Sequence, residues 1–127
     1  MSFDLRQIIH GETDDADIKN GGQLMARGRN VTMDSIQHVI RQLNWTTAKI
    51  LSVRLSDTYN PRNYLEIFGN HNEHIGIILL YAEGEIDYVC TEDNCSNIEA
   101  ASQALIQYFR GDLTWRTCRH WIPLHEY

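Results

Sequence analysis

Apolar and polar residues alternate in several segments of this chain, with the period of two that is typical of β-strands. The alternation is clear in 3–9 and again in 50–56, where each segment is predicted to form a half-buried strand. Further strands are predicted over 64–68, 75–81 and 85–91, and the turns between them are rich in Gly, Asn and Pro. Successive strands joined by short turns imply an antiparallel meander.

Two other segments have apolar residues at the spacing of one helix face. Thr32 is placed to cap a first helix over about 33–43, and Asn97 is placed to cap a second helix over 98–110. Gly111 follows the second segment and is expected to end that helix. Both helices are amphipathic, so each is expected to pack one face on the sheet.

The remaining segments differ from each other in composition. Residues 11–30 are rich in Gly, Asn and Asp and poor in large apolar groups, which predicts a mobile loop. Residues 112–127 include Trp115 and Trp121, and this stretch is too aromatic for a free tail. We therefore expect it to pack back against the rest of the chain.

These elements predict an α+β fold with an antiparallel meander sheet of about five strands and two helices packed on one face. The 127 residues correspond to a single domain, 1–127, and 43% apolar content is enough for a core without disulfides. The three cysteines are an odd number at no metal-binding spacing, as expected for reduced thiols. The first residues lack the basic start and apolar run of a secretory signal, so a cytoplasmic protein without membrane contact is expected.

Charge is distributed unevenly along the sequence. The 47 residues 63–109 contain eight acids and no lysine or arginine, and the formal net charge is −6. The acids are Glu66, Glu73, Glu83, Glu85, Asp87, Glu92, Asp93 and Glu99. A field of one sign repels nucleic acid and attracts a cationic protein surface or ligand. The alternative is a solvated face that keeps the protein soluble. Glu66 is expected alone on an outer strand position.

One group of residues suggests a metal or small-ligand site. His71 and His74 flank Glu73, and two imidazoles with a carboxylate can hold a divalent cation. The predicted context is a hairpin turn that specifies no third ligand, so surface histidines are the favoured interpretation and a metal-binding domain is the alternative. No cofactor is predicted.

Catalysis has little support in the sequence. Cys118 adjoins Arg119 and His120, which could lower its pKa, but no oxyanion hole or orienting partner can be identified. Glu85 and Asp87 project from one strand face without an apolar pocket that would separate their pKa values. We therefore expect a protein that is not an enzyme.

The second predicted helix and the residues after it contain a recognisable motif. It reads Ala100-x3-Ala104-Leu105-x2-Tyr108-Phe109-x-Gly111-Asp112-Leu113, with Trp121 ten residues after the glycine. The motif is similar to the carboxy-terminal signature of immunity proteins of bacterial polymorphic toxin systems, the family numbered first in the Imm series. The upstream order also resembles that family: a strand, a Gly/Asp-rich loop, a helix, and a meander containing Tyr64-Leu65-Glu66-Ile67-Phe68-Gly69.

The resemblance implies a non-catalytic protein whose partner is a cognate toxin, commonly a nucleic-acid deaminase or another nucleic-acid-targeting enzyme such as a nuclease. Such a toxin tends to present a basic cleft, which carboxylates of the inhibitor would attract and cover. The expected charged part of the binding face is Glu83, Glu85, Asp87, Glu92 and Asp93. The expected apolar anchors are Tyr59, Tyr64 and Tyr81.

Overall fold

The computed structural model describes residues 2–10, 23–29, 31–46, 50–69, 76–90 and 97–126. Its strands are β1 (Phe3–His10), β2 (Gln23–Gly28), β3 (Ile50–Asp57), β4 (Tyr64–Gly69), β5 (Ile77–Glu83), β6 (Ile86–Cys90) and β7 (Ile122–Pro123). Its helices are α1 (Met33–Gln42), α2 (Ile98–Arg110) and the short α3 (Thr114–Thr117), and a 3-10 turn spans Leu124–Glu126. The strands form one antiparallel sheet in the order β2-β1-β3-β4-β5-β6-β7.

The main core lies on one face of the sheet, called the helix face. Leu5, Leu55, Leu65, Tyr81 and Tyr88 lie opposite one another on successive strands and form one row of that face. All belong to or pack against the cluster that includes the buried residues of the helices. The alternation of side chains along each strand therefore directs one apolar set towards the helices.

Both main helices begin at their predicted caps, and α2 ends at the predicted glycine. Asn97 accepts a hydrogen bond on Oδ1 from the backbone N–H of Ala100 at 2.8 Å, and Thr32 accepts one from Ser35 at 3.2 Å. Gly111 has φ +76°, a left-handed conformation that ends α2 at low cost only for glycine. α2 lies against β4 and β5.

The predicted α+β class is confirmed, and β3 to β6 form the predicted meander. The sheet has more strands than expected because β2 and β7 were missed. β2 lies inside the segment predicted as a mobile loop; it is an edge strand that pairs with β1 through backbone hydrogen bonds, which require no apolar alternation. β7 is only two residues long and extends the other edge beside β6.

The carboxy-terminal segment packs back on the helix face, as predicted. Trp115 is 4% exposed, and its ring lies 5.4 Å from that of Tyr108 and 5.9 Å from that of Trp121 between centroids. Within the described ranges, no helix combines the length and apolar character needed to cross a membrane.

Candidate protein-binding surface at one end of the sheet

Three connecting segments meet at one end of the sheet, which we call the loop end. They are the β3–β4 connection 58–63, the β5–β6 turn 84–85 and residues 111–113 after α2. Asn63 accepts a hydrogen bond on its side-chain oxygen from the backbone N–H of Gly84 at 2.9 Å, which ties the first two segments together. Asn63, Gly111 and Leu113 line one cavity, so the third segment is adjacent.

The β3–β4 connection is held by its own hydrogen bonds. Asp57 accepts on Oδ1 from the backbone N–H of Tyr59 at 2.9 Å and donates its own backbone N–H to Asn63 at 3.0 Å. The N–H of Asn63 in turn reaches the carbonyl of Asn60 at 2.9 Å. The Tyr59 side chain projects from this ordered loop and is 86% exposed. An exposed aromatic ring is therefore presented on a fixed backbone.

On the face opposite the helices, the loop end contains a hollow of about 510 Å³. Tyr64 lies in it and donates its hydroxyl hydrogen to Asp87 Oδ1 at 3.1 Å, while the Arg54 guanidinium lies 3.9 Å from the centroid of the Tyr64 ring. Burial raises the pKa of Tyr64 well above its ordinary value; Arg54 opposes the rise, and Glu66 and Asp87 add to it. The hydroxyl therefore keeps its proton, and its hydrogen bond to Asp87, above the pH at which a free tyrosine ionises.

Arg54, which also lines this hollow, forms an ion pair with Glu66, with 3.3 Å between Nη2 and Oε2. The Glu66 side chain is only 3% exposed, so the prediction of an outer position for this acid is wrong: β4 is a central strand. The pKa of Arg54 is raised, because the opposing effect of burial is outweighed by the nearby Glu66, Tyr64 and Asp87. The charge of Glu66 is therefore neutralised within the fold.

On the helix face, the loop end contains a smaller cavity of about 210 Å³, which we call the aromatic cavity. Its lining includes Phe3, Asp57, Tyr81, Glu83, Tyr108 and Trp115. At the Glu83 side, Arg116 donates from Nη1 to Glu83 Oε1 at 2.6 Å, and its guanidinium lies 5.6 Å from the Tyr81 ring centroid.

The six predicted partner-binding residues that the structure describes all lie at the loop end, but they differ in accessibility. Glu85 and Tyr59 are exposed, and Glu83 is exposed while paired with Arg116. Tyr64 and Tyr81 are 8% and 4% exposed, so their rings pack inside the fold. They lie beneath the surface and are not exposed anchors. Asp87 accepts a hydrogen bond from the Tyr64 hydroxyl, as described above.

Other predicted residues lie outside the described ranges. These are the remaining two acids of the expected binding face, Glu92 and Asp93, and the candidate metal group His71, Glu73 and His74. In the part of the chain that the structure describes, no three His, Cys, Asp or Glu side chains are grouped so that they could hold a metal ion.

The acidic segment receives counter-ions from arginines outside it. The pairs are Glu66 with Arg54, Glu83 with Arg116 and Glu85 with Arg62. A stretch of sequence with charges of one sign therefore does not form a surface of one sign. The weakest pair joins Glu85 to Arg62 at 3.9 Å, with side chains 89% and 72% exposed, so both charges remain available to a partner.

Two exposed apolar residues at the loop end were missed from the sequence. Leu113 is 56% exposed and Ile86 is 48% exposed. Ile86 lies on the same side of β6 as Tyr88 and Cys90, but it is exposed because it stands at the strand's first position. The available signal was an apolar residue within two positions of a turn or of a helix-ending glycine.

Comparisons of this chain with protein-family models, with curated proteins and with solved structures found no match. The resemblance to the immunity family therefore stays a prediction that rests on the sequence motif.

Proposed function

We propose that this chain is a non-catalytic bacterial immunity protein that binds and neutralises a cognate toxin in the cytoplasm. The toxin would be a nucleic-acid-targeting enzyme such as a deaminase or nuclease, and the loop end would cover its active site or substrate cleft. The toxin class rests on the motif around Gly111. The observation that best supports a binding role is the exposed Tyr59 ring on a hydrogen-bonded loop beside exposed apolar and acidic side chains.

The composition of the loop end fits a protein interface. Aromatic residues are the most frequent energetic centres of such interfaces, and apolar neighbours exclude water around them. Tyr59 supplies the aromatic ring, while Ile86 and Leu113 add apolar area. Because backbone hydrogen bonds already hold the loop, binding would cost little ordering entropy.

The charges of the loop end also fit a basic partner. Its carboxylates belong to Asp57, Glu83, Glu85, Asp87 and Asp112, and its guanidinium groups belong to Arg54, Arg62 and Arg116. The surplus is negative even after pairing. A toxin that acts on nucleic acid needs a positive cleft, so the two fields would attract each other and speed association at low salt.

The test uses the toxin domain that the proposal expects to be encoded beside this gene, in an inactivated form for kinetics and in active form for a growth-protection assay. Tyr59→Ala should raise Kd about 30-fold, mainly through faster dissociation, which is a loss of about 2 kcal/mol at a hot spot. Glu85→Lys should slow association and flatten its dependence on salt concentration.

Glu99→Lys is the matched control for Glu85→Lys. It makes the same change in net charge at the start of α2, away from the loop end, and should leave association unchanged. Equal effects of the two reversals would show that net charge, and not the loop end, attracts the toxin. A wild-type chain that neither binds this toxin nor protects cells would exclude the proposed function.

A further inference from the structure

We propose that the aromatic cavity receives an arginine side chain of the protein partner. This inference rests on the proposed function, because it names the group through which the partner would be anchored. The cavity of about 210 Å³ is below the usual range for small-molecule sites, roughly 300–1,000 Å³. Its size is therefore suited to one side chain.

The walls of the cavity favour a planar cation. Tyr81, Tyr108 and Trp115 contribute aromatic rings, with Phe3 beside them. The Phe3 and Tyr108 rings are 5.3 Å apart, and those of Tyr81 and Trp115 are 5.2 Å apart, which packs the walls into a fixed arrangement. Guanidinium groups stack on such rings more readily than ammonium groups do.

The acids of the cavity supply the matching charge. Asp57 and Glu83 both line it. Burial, with smaller contributions from these two carboxylates, raises the pKa of Tyr108 to about 12, so their negative field reaches the cavity wall. Among the described residues, no cationic side chain lies within ion-pair distance of Asp57. Its charge is therefore available to a guanidinium from outside.

The chain already uses the same chemistry at the edge of this cavity. The Arg116 guanidinium bonds to Glu83 at 2.6 Å and lies over the Tyr81 ring. A second guanidinium entering on the Asp57 side would meet the same combination of carboxylate and ring. An anion would be repelled by both acids, and an apolar side chain would leave Asp57 without a counter-charge.

The test is a titration of the full chain with N-acetyl-arginine amide, followed by the indole N–H signal of Trp115 in a ¹H–¹⁵N spectrum. N-acetyl-citrulline amide, which has nearly the same shape without the charge, is the ligand control. The arginine derivative should shift the Trp115 signal saturably, and the citrulline derivative should not.

Asp57→Asn is the decisive variant, because the amide keeps an acceptor for the Tyr59 N–H while the charge is lost. It should weaken binding of the arginine derivative about 10-fold, equivalent to about 1.4 kcal/mol. Glu85→Gln removes the same charge from the turn outside the cavity and should leave the affinity unchanged. Equal binding of both derivatives, or unchanged affinity of Asp57→Asn, would overturn the inference.

Measuring toxin binding alongside binding of the arginine derivative distinguishes a failure of this inference from a failure of the proposed function. If the toxin binds wild type and Asp57→Asn equally well and the arginine derivative does not bind, only the arginine cavity is wrong. If the arginine derivative binds as expected and the toxin does not bind at all, only the toxin-neutralising function is wrong.

Discussion

Replacing Arg54 by methionine should destabilise the fold strongly, because it leaves the Glu66 carboxylate buried without its counter-ion. Glu66 is 2% exposed in the middle of the sheet, and its partner is 3.3 Å away. Methionine keeps an unbranched chain over the Tyr64 ring, so loss of packing is small. The change therefore tests the charge interaction rather than the volume.

The expected cost follows from the geometry. Two unit charges 3.3 Å apart attract by about 5 kcal/mol at an effective dielectric constant of about 20. Removing one partner of a buried pair typically costs about 3–5 kcal/mol. The Arg54 side chain is 30% exposed, so water can reach the site and partly solvate Glu66. We therefore expect a loss of about 3 kcal/mol, or roughly 10 °C in Tm.

Urea unfolding followed by tryptophan fluorescence measures this loss, with Arg54→Met, Glu66→Leu and the double variant forming a cycle. Glu66→Leu should cost about 1 kcal/mol, since Arg54 can turn towards water, and the double variant should be within about 1 kcal/mol of wild type. If Arg54→Met alone stays within about 0.5 kcal/mol of wild type, the pair does not neutralise Glu66 as inferred.

Three smaller predictions concern α2 and its surroundings. Asn97→Ala removes the acceptor for the Ala100 N–H and should lower the free energy of unfolding by about 1 kcal/mol, whereas an unchanged Tm would show that the cap is unimportant. Gly111→Ala should cost about 1–2 kcal/mol in urea unfolding from φ +76° alone, since nothing lies within 4 Å of the added Cβ. Because the pKa of Tyr108 is raised from 10.0 to about 12 on folding, wild type should lose stability as the pH rises from 10 to 12, and Tyr108→Phe should lose less; parallel stability–pH curves would contradict this.

The sequence predicted those parts of the fold in which a buried face imposes a period. β1 and β3 alternate because one side of each strand packs on the helices, and β5 has a continuous apolar run because it is buried on both faces of the sheet. α1 and α2 have both an apolar stripe and identifiable N-caps. β2 was missed for the opposite reason. It is an edge strand whose formation depends on the partner β1, and pairing through the backbone leaves little trace in the pattern of side chains.

The sequence predicted which residues lie near the candidate site, but not which of their side chains are exposed. Alternation placed Glu85 and Asp87 on one side of β6 and brought Tyr64 and Tyr81 into the same meander. It could not show that both tyrosines are buried, because burial depends on elements distant in sequence. Trp115 and Trp121 pack against Tyr81, and Asp87 with Arg54 engages Tyr64.

The arginines that pair with the acidic segment change what its charge can do for a partner. The Glu83 carboxylate already lies 2.6 Å from the Arg116 guanidinium. On binding a partner's arginine it would exchange one guanidinium for another, so it would gain little binding free energy. Glu85 has only the exposed Arg62 at 3.9 Å, and among the described residues no cationic side chain pairs with Asp57, so these two carboxylates can gain most from a new cation. They lie on different sides of the β3–β4 connection, with Tyr59 projecting from it. A basic partner contacting both would therefore have to place its surface over Tyr59, which predicts that the aromatic ring lies inside the interface and not at its rim.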